Sequence, residues 1–177
     1  ASPRVRALGT RHSFNDLADS DVLVSLEQLP ADIELDPDAA TVRVAAQLPF
    51  ARVADVLDAR GWALHNLGSL PHISVGGATA TATHGSGLHN GNLSTAVVSL
   101  ELVTADGSIV RLDRRDPRFP GGVVHLGALG VVTHLALAVQ PRYAVRQDVY
   151  LGVPWSEVLA DPTGIFAGAY SVSVFGH

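Results

Sequence analysis

Between Gly68 and Asn92 the chain runs through Gly, Ser, Thr, Ala, His and Asn with no helical or strand period. Irregular stretches longer than about 12–15 residues are uncommon inside a compact domain and usually functional where they occur. This segment therefore constrains the fold more than any other. Small residues at nearly every position from Gly68 to Gly87 let backbone lie flat against a large planar ligand. The hydroxyls of Ser69, Ser74, Thr79, Thr81 and Thr83 can bond heteroatoms or phosphate oxygens. Gly76-Gly77 ahead of Ala78-Thr79-Ala80 predicts open N–H groups at the start of a short helix, an anion site. A flexible linker is the plainer alternative, but linkers seldom carry Leu70-Pro71-His72-Ile73 or alternate Ala and Thr so tightly.

Short strands separated by Gly, Pro and Asp surround this segment. Val22 to Leu26 and Thr41 to Ala45 read as strands, the second with period-2 alternation. Asp36-Pro37-Asp38 supplies the turn after Ile33-Glu34-Leu35. Pro49 suits a first helical position, and Phe50, Val53, Val56 and Leu57 recur at helical spacing as far as Gly61. Val97 to Thr104 and Ser108 to Leu112, joined by Ala105-Asp106-Gly107, predict a hairpin. Gly127 to Gly130 lead into a strand over Val131 to Leu137. From Tyr143 the pattern predicts a further strand, a helix begun by Pro154 and an apolar run from Ala167 to Phe175. The fold class is α+β.

With 47% apolar and 16% charged residues, the 177-residue chain suits a packed globular fold of about one domain. A net charge of −5 argues against nucleic acid as a partner, and no apolar run reaches the ~18 residues of a membrane span. The lack of Cys removes disulfides, thiolate catalysis and Cys-ligated zinc, and fits a cytoplasmic protein. All twelve cations are Arg, so the Lys of a phosphate-binding P-loop does not exist. Eight His invite a metal, but His84 and His89 lie in a Gly-rich loop and not on a helix face; no metal site is expected. The chain has no Met and opens on what reads as a strand under way, as a piece of a longer protein would.

A second candidate segment, Leu8-Gly9-Thr10-Arg11-His12-Ser13-Phe14-Asn15, directly follows a strand. Gly9 permits a tight turn around a ligand, and the N–H groups from Gly9 to Ser13 can form an anion nest for a pyrophosphate. Taken alone, the segment reads more readily as a turn with an exposed histidine than as a ligand site.

In order along the chain, these segments resemble the FAD-binding domain of the vanillyl-alcohol-oxidase-type (PCMH-type) flavoproteins, and within it the bacterial alditol (xylitol) oxidases. Val5 to Asn15 is similar to the family's Gly-x-Gly-His-Ser segment, Ser69 to Gly77 to its second flavin loop, Thr81 to Gly87 to its phosphate segment, and Gly127 to Thr133 to the strand entry at the adenine end. The resemblance implies two small α+β subdomains incomplete at both ends: residues 1–142 as the FAD-binding domain and 143–177 as the truncated start of a substrate (cap) domain. It implies FAD held covalently through His12, with further cofactor contacts from Ala7, Leu8, Gly9, Thr10, Arg11, Ser13, Ser69, Ser74, Gly77, Thr81, Ala82, Thr83, His84, Gly130 and Val132. Ser69 is implied as the catalytic, substrate-binding residue beside flavin and polyol, while the general base belongs to the second domain. One departure stands out. Arg11 replaces the Gly that many relatives place before the histidine, and it fits easily if its φ is negative. The implied activity is oxidation of a sugar alcohol at a primary hydroxyl, with O2 reduced to hydrogen peroxide. A sugar-1,4-lactone oxidase or dehydrogenase, a non-catalytic FAD module and, from another class, a metal-dependent hydrolase are the alternatives.

Overall fold

Strands alternating core-facing and half-exposed residues assemble most of the chain around a single antiparallel sheet. The computed structural model describes residues 4–176. In chain order it contains β1 (Val5–Ala7), β2 (Val22–Val24), β3 (Ile33–Asp36), β4 (Thr41–Ala45), α1 (Phe50–Ala59), β5 (Trp62–Ala63), α2 (Val75–Ala80), β6 (Val97–Val103), β7 (Ile109–Asp113), α3 (Phe119–Val123), β8 (Val131–Ala138), β9 (Gln140–Pro141), α4 (Trp155–Ala160) and α5 (Pro162–Ala167). Single 3-10 turns cover Asp16–Ala18 and Leu93–Ala96.

The main sheet has the order β3-β4-β8-β6-β7, every neighbour antiparallel. Val42 and Val44 of β4, Leu100 and Leu102 of β6, and Leu135 and Leu137 of β8 supply its core face. Helix α1 seals that core with Phe50, Val53 and Leu57, one stripe at helical spacing. Short β1 and β2 pair in parallel as a separate ribbon, so the chain must cross over between them through residues 8–21. That crossover carries the His12 turn.

Two close approaches need glycine. A Cβ on Gly76 would meet Ala46 Cβ at 2.9 Å and Ala46 O at 3.1 Å, so α2 lies tight against the end of β4. Gly130 has a φ of +147°, and a Cβ there would lie 2.2 Å from Val103 O, so only glycine lets the chain enter β8 beside β6.

The elements depart from the sequence reading in several places. The strand at Val22 stops at Val24, because Leu26 turns into the core instead of continuing the ladder. Pro49 is the N-cap rather than the first helical residue. Among the described residues no strand forms after Tyr143. The last ladder among the described residues is β9, before Tyr143, which pairs with β5. The apolar run from Ala167 forms no regular element up to residue 176: α5 ends at Ala167, and Phe175 is 93% exposed, with no sheet beside it to pair with. Inside the long Gly68–Asn92 segment, α2 is the only regular element.

Candidate cofactor site

Hydrogen bonds between backbone and side chain draw three distant segments together. Thr10 Oγ1 accepts from Ser74 N at 3.2 Å, joining the His12 turn to the second loop. Leu126 N donates to Ala80 O at 3.1 Å, and Arg6 Nη1 donates to Leu126 O at 3.2 Å. The segment before β8 thus closes against both the end of α2 and β1. In the same region the His12 and His72 rings meet edge to face, with centroids 4.6 Å apart and planes at 64°.

The turn itself is open. Ala7 is exposed, half-buried Leu8 donates its N–H to Val24 O, and Gly9, Thr10, Arg11, His12 and Ser13 are all exposed. Among the described residues, no N–H from Gly9 to Ser13 finds an acceptor within the protein. Arg11 lies within this row of donors and Arg6 three residues before it, and among the described residues neither has a carboxylate partner. Free N–H groups and guanidinium groups without a carboxylate together favour an anion. Arg11 corrects one expectation. Its φ is +60°, not negative, so it keeps the left-handed backbone that glycine adopts easily. That conformation costs a side-chain-bearing residue about 1–2 kcal/mol.

The second loop is more tightly bound. Phe50 N donates to Ile73 O at 3.0 Å and Ala51 N to Pro71 O at 2.7 Å, so carbonyls flanking His72 cap the start of α1. Ser69 is exposed, whereas Ser74 is buried with its Oγ accepting from Gly77 N at 3.4 Å. The anion site expected at Gly76-Gly77 is not there. Helix α2 begins at Val75, and its first donors are spent: Val75 N on Leu48 O, Gly76 N on Ala46 O and Gly77 N on Ser74 Oγ. The Thr79 hydroxyl is also withdrawn, buried and donating to Val75 O at 2.8 Å. Thr81 Oγ1 donates to Gly77 O at 3.0 Å and lies 3.2 Å from Thr83 Oγ1, which leaves the Thr83 hydroxyl the freer of the two. Ala82 has a φ of +53°. His84 is exposed, and its Nδ1 must donate to Gly85 O at 2.9 Å, since a carbonyl only accepts.

At the third segment, Gly130 is held by its approach to Val103, and Val132 is buried with its side chain in the core. Val132 therefore offers a ligand only backbone. Sequence reasoning included Arg6 and His72 in the flavin segments without giving either a part in the site, and it passed over His125. His125 Nδ1 accepts from Gly127 N at 3.0 Å, and burial, reinforced by Arg6, pushes its imidazole pKa down from 6.5. No spacing rule marks Arg6 and His72, because Leu126 and His12, which they meet, lie far away in sequence. Among the described residues no group of three or more His, Asp or Glu is placed to hold a metal ion.

Residues beyond Tyr143 return to the same loop. Tyr143 and Tyr170 both donate their phenol to His65 O, at 3.2 and 2.6 Å. Asn90 Nδ2 donates to Tyr170 O at 3.2 Å, and the Ser86 and Ser171 hydroxyls bond each other.

This arrangement fits a flavin dinucleotide: an open N–H row and two cations for pyrophosphate, and an exposed imidazole among small residues for the ring. The model of the FAD binding domain matches residues 2–113. The chain belongs to the FAD binding domain family. Its cofactor is FAD, and its α+β, PCMH-type fold is the one expected from the sequence. It is 48% identical over 167 residues to the alditol oxidase of a Streptomyces species, covering 93% of this chain and 40% of that enzyme. It is 37% identical to the L-gulono-1,4-lactone dehydrogenase of Mycobacterium tuberculosis, over 81% of this chain and 34% of that one. The L-gulonolactone oxidase of Bos taurus is 31% identical, over 83% of this chain and 34% of its own length. The chain thus spans 34–40% of the length of these relatives. Among solved structures, a cholesterol oxidase from Brevibacterium sterolicum shares the fold, with a TM-score of 0.69 at 21% identity over 78% of this chain and 30% of that one. Among the described residues no helix is long and apolar enough to cross a membrane.

Proposed function

We propose that this chain is the FAD-binding part of an oxidase that converts a sugar alcohol at a primary hydroxyl and passes the electrons to O2 as hydrogen peroxide, with FAD carried covalently on His12. The 48% identity to an alditol oxidase over 93% of the chain carries this reading, against 37% and 31% for the two lactone enzymes. FAD supplies the two-electron chemistry when bound. The chain's own residues position it. His12 Nε2 or Nδ1 provides the lone pair for the tether, the N–H groups from Gly9 to Ser13 with Arg11 receive the pyrophosphate, and Ala7 and Leu8 shape the approach to that turn. Ser69 and Ser74, with Gly77, border the ring. Ser69, exposed and free to donate, orients a substrate hydroxyl. Thr81, Ala82, Thr83 and His84 line the phosphate side, and the backbone of Gly130 and Val132 holds the adenine end. Residues 1–142 form the FAD-binding domain and 143–177 open a substrate domain, a division supported by the loss of regular strands after β9. Work in the cytoplasm suits a chain without Cys.

Acid precipitation of the full-length protein tests the tether: yellow colour and fluorescence stay in the pellet, and His12→Ala releases them to the supernatant. Flavin released from the unaltered protein would refute it. Peroxide formed with xylitol or sorbitol but not with aldonolactones supports the alditol reading. The reverse preference selects the lactone enzymes.

A further inference from the structure

We infer that His72 is a positioning residue for His12: its ring packs against the His12 imidazole and holds it in the orientation from which the flavin is bonded. The inference rests on reading His12 as the flavin carrier. The two histidines differ in how firmly they are held. His72 lies between two carbonyls, Pro71 O and Ile73 O, that cap the first turn of α1, and Ile73 and Ser74 on its C-terminal side are buried. Its backbone is therefore pinned to the core. His12 sits on an exposed turn whose backbone N–H groups have no acceptor within the protein, and among the described residues its ring makes no hydrogen bond. Its ring meets the His72 ring edge to face, centroids 4.6 Å apart, and that contact restrains the side chain.

An exposed imidazole can otherwise swing through several rotamers. Bond formation needs one of them, with the nitrogen lone pair aimed at the methyl carbon, and fixing that geometry in advance raises the rate. In attachment, a C–N bond forms between the imidazole nitrogen and the flavin methyl carbon. One methyl C–H and one imidazole N–H bond break, and the two electrons and two protons released reduce O2, the oxidant of the proposed reaction, to hydrogen peroxide. His72 makes no ring-to-ring N–H···N bond to His12, so its role is in orientation and not in taking the proton.

The test is the rate at which full-length apoprotein, purified from riboflavin-depleted cells, takes up added FAD covalently. Fluorescence of the acid-precipitated protein follows the reaction over time. Loss of an aromatic edge-to-face contact predicts that His72→Ala attaches flavin about three- to tenfold more slowly, while His72→Phe, which keeps a ring, stays within about twofold of the unaltered protein. Proton NMR of the apoprotein supplies a second readout: the His12 ring resonances move in His72→Ala, as loss of a neighbouring ring current requires. Attachment by His72→Ala at the unaltered rate, His72→Phe as slow as His72→Ala, or unmoved His12 resonances would each overturn the inference. A His12→Ala protein that still holds covalent flavin overturns the tether itself, a failure distinct from equal rates in the His72 series.

Discussion

Arg11 shows how a single residue can retain a backbone that its side chain disfavours. Its φ of +60° is the conformation glycine adopts freely, and it precedes the residue proposed to carry FAD. Left-handed geometry costs a non-glycine residue about 1–2 kcal/mol, while glycine's freedom in the unfolded chain returns about 0.5–1 kcal/mol of that difference. Arg11→Gly is therefore expected to raise the unfolding free energy by up to about 1 kcal/mol, read from the denaturant midpoint. A drop in stability would mean that the guanidinium makes a folding contact outweighing the strain. The sequence marked the position as a departure but did not show the sign of φ, because that sign is set by how the turn leaves β1.

At the scale of elements, the segment entering β8 depends on a neutral imidazole. His125 accepts from Gly127 N and lies near Arg6, and its pKa is lowered from 6.5 by burial first and Arg6 second. A base with a lowered folded pKa binds its proton more weakly in the folded than in the unfolded state, so stability is full above pH 6.5 and falls as the pH drops below it toward the folded value. Protonation also removes the acceptor that holds the 125–127 turn. Hydrogen-exchange protection over residues 125–130, taken relative to the intrinsic rate at each pH, is expected to fall below pH 6.5, and His125→Gln to lose most of that pH dependence. Equal pH dependence in the variant would assign the effect to another group. Helix α2 carries the complementary lesson. Its glycines were legible in the sequence, but their use was not: Gly76 serves close packing on Ala46, and the helix donors are consumed by the core.

Across the whole molecule, one carboxylate ties three strands of the sheet. Glu101 on β6 accepts from Thr133 Oγ1 at 2.8 Å and His134 Nδ1 at 3.3 Å on β8, and from Arg111 Nε at 2.8 Å on β7. Its side chain is 18% exposed, and its pKa is held below 4.5, the Thr133 hydroxyl being the largest cause and Arg111 and His134 adding to it. A depressed folded pKa gives stability that is present above the unfolded value of 4.5 and is lost as the pH falls through the folded one. Glu101→Gln is expected to cost about 1–3 kcal/mol at neutral pH, and the difference between the two proteins should vanish in acid below the folded pKa. Urea titrations at neutral and acid pH check it. A gap that persists in acid would point to packing and not to charge.

The sequence alone determined the α+β class, the helix from Phe50, the hairpin around Asp106 and the segments that the fold draws together, because periodicity, turn residues and ordered motifs are local properties. Tertiary structure decided which of their atoms remain available. The core claims the N–H groups of α2 and the Thr79 hydroxyl, while the turn from Gly9 to Ser13 stays open. It also places His72 against His12, 60 positions away in the sequence, and Arg6 against the turn before β8. A hydrogen bond or ring contact between residues so far apart in sequence exists only once the strands have paired. That is why the segments that meet in the structure were legible in the sequence and the division of labour among their atoms was not.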